Sequence, residues 1–169
     1  MTNLYSFSWA LIGALLSFAL STFIPLYLNK RRYKKRTDIL GNWQSSYQGI
    51  DEENGTWVTE KLSIDIYLGK LRLVNFSNNH KYSYTGYGKL IHDAYIVGDW
   101  ISEKSGANAK GSFMLTICGQ GECMYGYWSG SDSVGTRRYA RWVLSKNIDG
   151  LENAKKHLEE MRKSRLSPL

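Results

Sequence analysis

Two hydrophobic patterns divide the chain. From Leu4 to Leu28 the run LYSFSWALIGALLSFALSTFIPLYL holds 25 residues and no charge. A helix needs about 20 apolar residues to cross the hydrocarbon core of a bilayer, where it satisfies its own backbone hydrogen bonds. Tyr5 and Trp9 lie toward one end and Tyr27 toward the other, where amphipathic rings prefer the interface. Pro25 falls in the last turn, where a kink does little harm. The rival reading is a cleaved signal peptide. It requires basic residues before a shorter apolar core, and a small-residue cleavage site. Here the charges follow the apolar run, so a retained anchor over residues 1–29 is expected.

Beyond residue 37 the period changes to two. Val58, Leu62, Ile64, Ile66 and Leu68 alternate with Thr59, Lys61, Ser63, Asp65 and Tyr67. Tyr82 and Tyr84 alternate with Lys81, Ser83 and Thr85. Phe113, Leu115 and Ile117 alternate with Ser112, Met114 and Thr116. Such alternation marks half-buried strands. Turn signals separate them: Asn54-Gly55, Gly69, Ser77-Asn78-Asn79, His92-Asp93, Ser105-Gly106, Gly119-Gln120-Gly121 and Ser131-Asp132-Ser133. The pattern predicts eight strands near 40–50, 56–68, 70–76, 80–91, 94–103, 109–118, 123–130 and 134–146. Short connections imply an antiparallel meander, and eight such strands close into an up-and-down, lipocalin-like barrel without exposed edges. A two-sheet sandwich is the alternative. A C-terminal helix and tail over 148–169 follow. Asp149 and Glu152 give a start signal, and Leu151, Ala154, Leu158 and Met161 form its apolar face. Packing on its own barrel is expected; packing on a second copy is the alternative.

The net charge of +7 misleads until it is located. Six of the 22 basic residues fall in Lys30–Arg36, KRRYKKR. Thr37–Lys146 carries eleven basic and eleven acidic residues and is neutral. The barrel domain is expected over 38–147 and the basic segment 30–37 is expected to be a juxtamembrane linker. A neutral domain argues against a face for duplex DNA or RNA. Positive charge on the near side of the span places the barrel in the cytoplasm and the N-terminus outside, single-pass in the inner membrane. It also suits anionic headgroups. Gly13, Ser17 and Ser21 recur on one helix face, a spacing that lets membrane helices approach closely and self-associate.

Chemistry is sparse. His80, His92 and His157 are scattered, and there is no phosphate-loop, nucleophile-elbow or paired metal motif. Neither catalysis, a metal nor a cofactor is expected. Cys118 and Cys123 flank a tight turn; in the reducing cytoplasm they should be thiols, whereas a bridge between them would argue for a barrel on the outer side. The most unusual stretch is Thr136-Arg137-Arg138-Tyr139-Ala140-Arg141-Trp142. Arg138 shares a face with Trp142, and Arg137 and Arg141 take the other. A buried Arg needs an anionic or aromatic partner, so either a phosphate clamp or a stack on Trp43 is expected. Aromatic faces stack bases while Arg holds phosphate. The candidate ligand-binding residues are Arg72, Tyr84, Tyr125, Tyr127, Arg137 and Arg138.

The layout resembles the membrane-anchored, β-strand-rich effectors associated with CD-NTase enzymes in CBASS anti-phage systems. The likeness rests on the apolar span, the KRRYKKR junction, the barrel opening Leu40-Gly41-Asn42-Trp43-Gln44-Ser45-Ser46-Tyr47, and the late pair Tyr125-Gly126-Tyr127-Trp128 with Arg137-Arg138-Tyr139-Ala140-Arg141-Trp142. The resemblance implies a non-enzymatic receptor. Its barrel binds a cyclic dinucleotide and controls homo-oligomerisation in the membrane, leading to membrane disruption and cell death. That family typically carries two membrane helices; one is found here. A membrane-tethered carrier of a lipid or other apolar molecule is the alternative, and a scaffold filled by its own side chains is a third reading.

Overall fold

The computed structural model describes residues 2–48, 56–76, 83–103, 109–119, 121–131 and 137–166. The expected turns at Asn54-Gly55, Ser77-Asn78-Asn79, Ser105-Gly106 and Asp132-Ser133 lie outside those residues, as do Gln120, His80 and Tyr82. The elements are α1 (Thr2–Lys34), β1 (Gly41–Gln48), β2 (Trp57–Tyr67), β3 (Lys70–Asn75), β4 (Tyr84–Ile91), β5 (Tyr95–Ser102), β6 (Lys110–Cys118), β7 (Cys123–Ser131), β8 (Arg137–Ser145) and α2 (Ile148–Leu166). Each strand pairs antiparallel with the next. β8 then pairs with β1 from Gln44↔Ser145 to Tyr47↔Trp142, which closes the barrel. That closing seam excludes the two-sheet sandwich.

The alternation seen in the sequence sets inside and outside. Leu62 and Ile64 on β2, Leu71 and Leu73 on β3, Phe113 and Leu115 on β6, and Trp142 and Leu144 on β8 are buried within the barrel. Lys61, Lys70, Lys89 and Lys110 are exposed on its outer wall. Inward positions of β4 and β5 are often glycine because the Phe113 ring fills their space. A Cβ on Gly86 would lie 3.1 Å from that ring, and one on Gly98 2.8 Å.

The basic segment is not a separate linker. α1 runs unbroken to Lys34, and Tyr33 is buried in the barrel core with Ile39 and Trp43. A 3-10 turn over Thr37–Ile39 joins the helix to β1. The Trp43 Nε1–H donates to the Ile39 carbonyl at 3.0 Å, fixing that turn against the core. Lys146 caps the same end: its Nζ donates to the Leu40 carbonyl at 2.7 Å and lies 4.0 Å from the Trp43 ring centre. The expected cation on Trp43 is therefore Lys146 rather than an Arg of β8. Partial burial lowers the Lys146 pKa. Arg32 pairs with Asp93 at 2.8 Å, and the Arg36 guanidinium grips Asp38 at 2.8 Å, holding that carboxyl below its usual range. The end of the barrel facing α1 is thus plugged; it is called the proximal end below.

α2 lies along the barrel wall rather than over an end. Leu151, Ala154 and Leu158 pack on Val143, Trp57 and Tyr125. Its cap is Asn147, whose Oδ1 accepts the Gly150 N–H at 2.6 Å, two residues before the expected Asp149. Cys118 and Cys123 are register partners with Cα atoms 5.3 Å apart, and the structure joins them in a disulfide, where free thiols were expected.

Candidate functional site

The six expected ligand-binding residues do not form one cluster. Arg72 lies on the outer wall, where its guanidinium pairs with Asp65 at 2.5 Å and sits 4.8 Å from the Tyr67 ring centre. Its register partner is that same Asp65, so both side chains leave the barrel on one face. Tyr125 also faces outward and supports α2. Tyr127 and Arg137 are exposed on the outer wall. Tyr84 alone of the five with described side chains faces the lumen. Arg138 is placed by its backbone: it pairs with Gly130, at the same parity of β8 as Ala140 and Trp142. Arg141, on the other parity, has a buried guanidinium nitrogen without a partner among the described residues.

Around Tyr84 the lumen changes character. The proximal half is apolar and filled by leucine, isoleucine, methionine and Trp43 side chains. The distal half is crossed by a chain of rings. Tyr47 meets Trp128 at 6.3 Å, Trp128 meets Trp100 at 5.8 Å, and Trp100 meets Tyr84 at 6.3 Å. Tyr84 meets Trp142 at 6.1 Å, and Trp142 meets Phe113 at 5.4 Å. All of these contacts are edge-to-face, the geometry that ring quadrupoles favour. Tyr47, Tyr84 and Trp100 are only partly buried, whereas Trp142 below them is 3% exposed. Among the described residues the girdle therefore has a closed floor and more exposed rings toward the distal side.

A carboxylate sits in this girdle. Glu60 is on the inward parity of β2, buried, and it accepts three hydrogen bonds. Ser45 Oγ donates to Oε1 at 3.3 Å, Asn75 Nδ2 donates to Oε2 at 3.0 Å, and the Tyr84 hydroxyl donates to Oε1. Trp142 Nε1–H in turn donates to Ser45 Oγ at 2.8 Å. All of these donors are neutral. Burial pushes the Glu60 pKa up, and the three hydrogen bonds only partly oppose this. Tyr84 is raised well above its ordinary value, first by burial of its hydroxyl and then by the Glu60 charge.

The sequence pointed to Glu60 without its being chosen. It breaks the apolar parity Val58, Leu62, Ile64, Ile66 with a charge. Such a break inside a barrel strand is a signal in itself, because an inward carboxylate carries a desolvation cost.

That cost has a sign. Folding favours the proton on Glu60, so the folded chain binds more protons than the unfolded chain above the ordinary value of 4.5. Stability contributed by this group is full below that value and declines as pH rises toward the raised folded value. Asp38 has the opposite slope, acting below its ordinary value of 3.8. Glu60→Gln is expected to abolish the decline, so that the variant gains on the wild type as pH rises to neutrality. Thermal unfolding of both proteins between mildly acidic and neutral pH checks it; parallel curves would rule out a raised Glu60.

One buried group in the girdle lacks a partner. Trp128 is 8% exposed, and its Nε1–H meets no acceptor among the described residues. Buried indole N–H groups usually find one. Among the described residues there is no cluster of His, Cys, Asp and Glu fit to hold a metal ion.

Fold and site together define a closed eight-stranded barrel with an aromatic distal lumen that holds the buried Glu60, joined to one helix long and apolar enough to cross a membrane. No protein-family model and no curated protein matches the chain.

Proposed function

We propose that the chain is a membrane-anchored, non-enzymatic receptor whose barrel binds a cyclic dinucleotide through its distal lumen. The observation that carries this reading is the ring girdle with a Trp128 N–H that meets no acceptor among the described residues. Planar bases match aromatic walls, and their ring nitrogens and carbonyls supply the acceptor that the indole lacks. Glu60 is suited to a base N–H. Phosphates would stay outward, toward the distal start of β8, where Arg137 and Arg138 lie. A lipid carrier is the weaker reading, because the lumen holds the carboxyl of Glu60 within a polar network of Ser45, Asn75 and Tyr84, which offers an acyl chain no apolar wall there.

In this reading α1 crosses the inner membrane, and the six cations of Lys30–Arg36 favour a cytoplasmic barrel, whereas the Cys118–Cys123 disulfide weighs for the oxidising side. The face bearing Gly13, Ser17 and Ser21 then serves for self-association, and ligand-driven assembly disrupts the membrane. A Cβ on Gly13 would meet nothing within 4 Å, so that face is open in the single chain.

The test is thermal unfolding of the full chain in mild detergent against a panel of cyclic dinucleotides. At about 100 times Kd, a true ligand stabilises by about 2.7 kcal/mol. Trp128→Phe keeps the ring and removes the N–H. It is expected to weaken binding by about 1 kcal/mol, roughly fivefold in Kd. If no nucleotide stabilises the barrel, the receptor reading is wrong and the scaffold reading replaces it.

A further inference from the structure

The barrel does not sit squarely on the end of α1. Its three proximal turns meet the chain at different heights. The β6–β7 turn lies against Asp38, since a Cβ on Gly121 would collide with that side chain. The β4–β5 turn meets Arg32 through Asp93. The β2–β3 turn reaches Leu26: a Cβ on Gly69 would lie 2.9 Å from Leu26 Cδ2 and 3.2 Å from Leu26 Cα. Thr22, Leu26, Asn29 and Tyr33 share one helix face and are each at least half-buried, as expected of the side turned to the barrel.

Helix rise converts these positions to heights. Leu26 lies about 9 Å along α1 below Arg32 and about 6 Å below Lys30. Lys30 is the first cation after the apolar run, and Leu26 belongs to that run. The β2–β3 turn therefore reaches past the first charge, to the level where the helix is still wholly apolar.

The composition of the turn fits that level. Its central residues, Leu68 and Gly69, both have positive φ, 46° and 69°. Tight hairpins of this form favour Asn-Gly or Asp-Gly, because a branched side chain at positive φ costs about 1–2 kcal/mol. Here the first position is leucine, 69% exposed, beside the exposed Tyr67. A strained apolar residue at an exposed tip is poor for an aqueous turn. Against lipid it is favourable, with Tyr67 as an interfacial ring and Lys70, Lys30 and Arg31 at headgroup height.

We infer that the Tyr67-Leu68-Gly69-Lys70 turn is a second membrane contact, with Leu68 inserted at the boundary between headgroups and acyl chains of an anionic bilayer. The barrel is then fixed at two points, α1 and this turn, and leans over the bilayer on its β2–β3 side. This inference rests on α1 spanning the membrane, so the test measures both.

Single spin labels are placed by cysteine substitution at residues 18, 68 and 139 of the full chain, with Cys118→Ser and Cys123→Ser, in nanodiscs containing anionic lipid. Collisions with oxygen and with an aqueous nickel chelate report depth. Phe18→Cys, mid-helix, is expected to be deep, and Tyr139→Cys, on the outer wall of β8, aqueous. Leu68→Cys is expected to show nickel accessibility several-fold below that at 139, with raised oxygen accessibility. A deep label at 18 with an aqueous label at 68 overturns the second contact alone. An aqueous label at 18 overturns the spanning helix and the contact with it. The wild-type chain in bilayers doped with a photoreactive lipid provides a check without substitutions. Adducts on the peptide holding residues 67–70 are expected, and their absence alongside adducts on α1 overturns the inference.

Discussion

Trp142→Ala is expected to destabilise the barrel by about 3–5 kcal/mol, the range for removing a large buried aromatic. Trp142 lies where three forms of support meet. It faces Tyr47 across the β8–β1 seam, the pairing that closes the sheet. Its ring packs edge-on against Phe113 and Tyr84, so its loss leaves a hole between the apolar proximal half and the polar distal half. Its N–H supports Ser45, which supports Glu60, so alanine also weakens the solvation of a buried carboxylate. Trp142→Phe keeps most of the volume and loses only the hydrogen bond, so it is expected to cost about 1 kcal/mol beyond the small packing loss. Thermal unfolding in detergent separates the two variants. Equal losses would place the whole effect in the hydrogen bond and none in the ring.

The barrel was legible because alternation is a strong local signal. Eight strands and their parity followed from residues such as Leu62, Ile64, Leu115 and Ile117, each of which takes the face that its neighbours dictate. The interior polar network was less legible. Ser45, Glu60, Asn75 and Tyr84 come from β1, β2, β3 and β4, and only the barrel's stagger brings them together. Arg72, Tyr125 and Tyr127 were attractive by residue type, yet parity alone assigns each to the outer wall. Arg72 follows inward Leu71, Tyr125 follows inward Met124, and Tyr127 precedes inward Trp128. Chemical type drew attention where position carried the information. The basic segment failed to read as helix for a related reason. Its charge suggested a solvated linker, while the residue that buries it in the core, Tyr33, is a single aromatic among six cations.

Tyr33→Ala is expected to cost about 3 kcal/mol and, more tellingly, to release the joint between helix and barrel. Tyr33 is 2% exposed and packs in the same core as Ile39 and Trp43. The ion pairs beside it add little by themselves, since Arg32 and Asp93 are substantially exposed and such pairs contribute about 0–1 kcal/mol. The aromatic anchor therefore decides whether a movement of the barrel reaches α1. Trypsin reads this directly, because Lys30–Arg36 holds six cleavage sites. In the wild type the helical backbone protects the four of them from Lys30 to Lys34, and local opening must precede cutting there. In Tyr33→Ala the segment is expected to be cut much faster than the barrel unfolds, while the barrel's own tryptic sites stay protected. Rapid cutting of the wild type at these four sites would instead show a flexible tether, and would break the mechanical link that the proposed ligand-driven control requires.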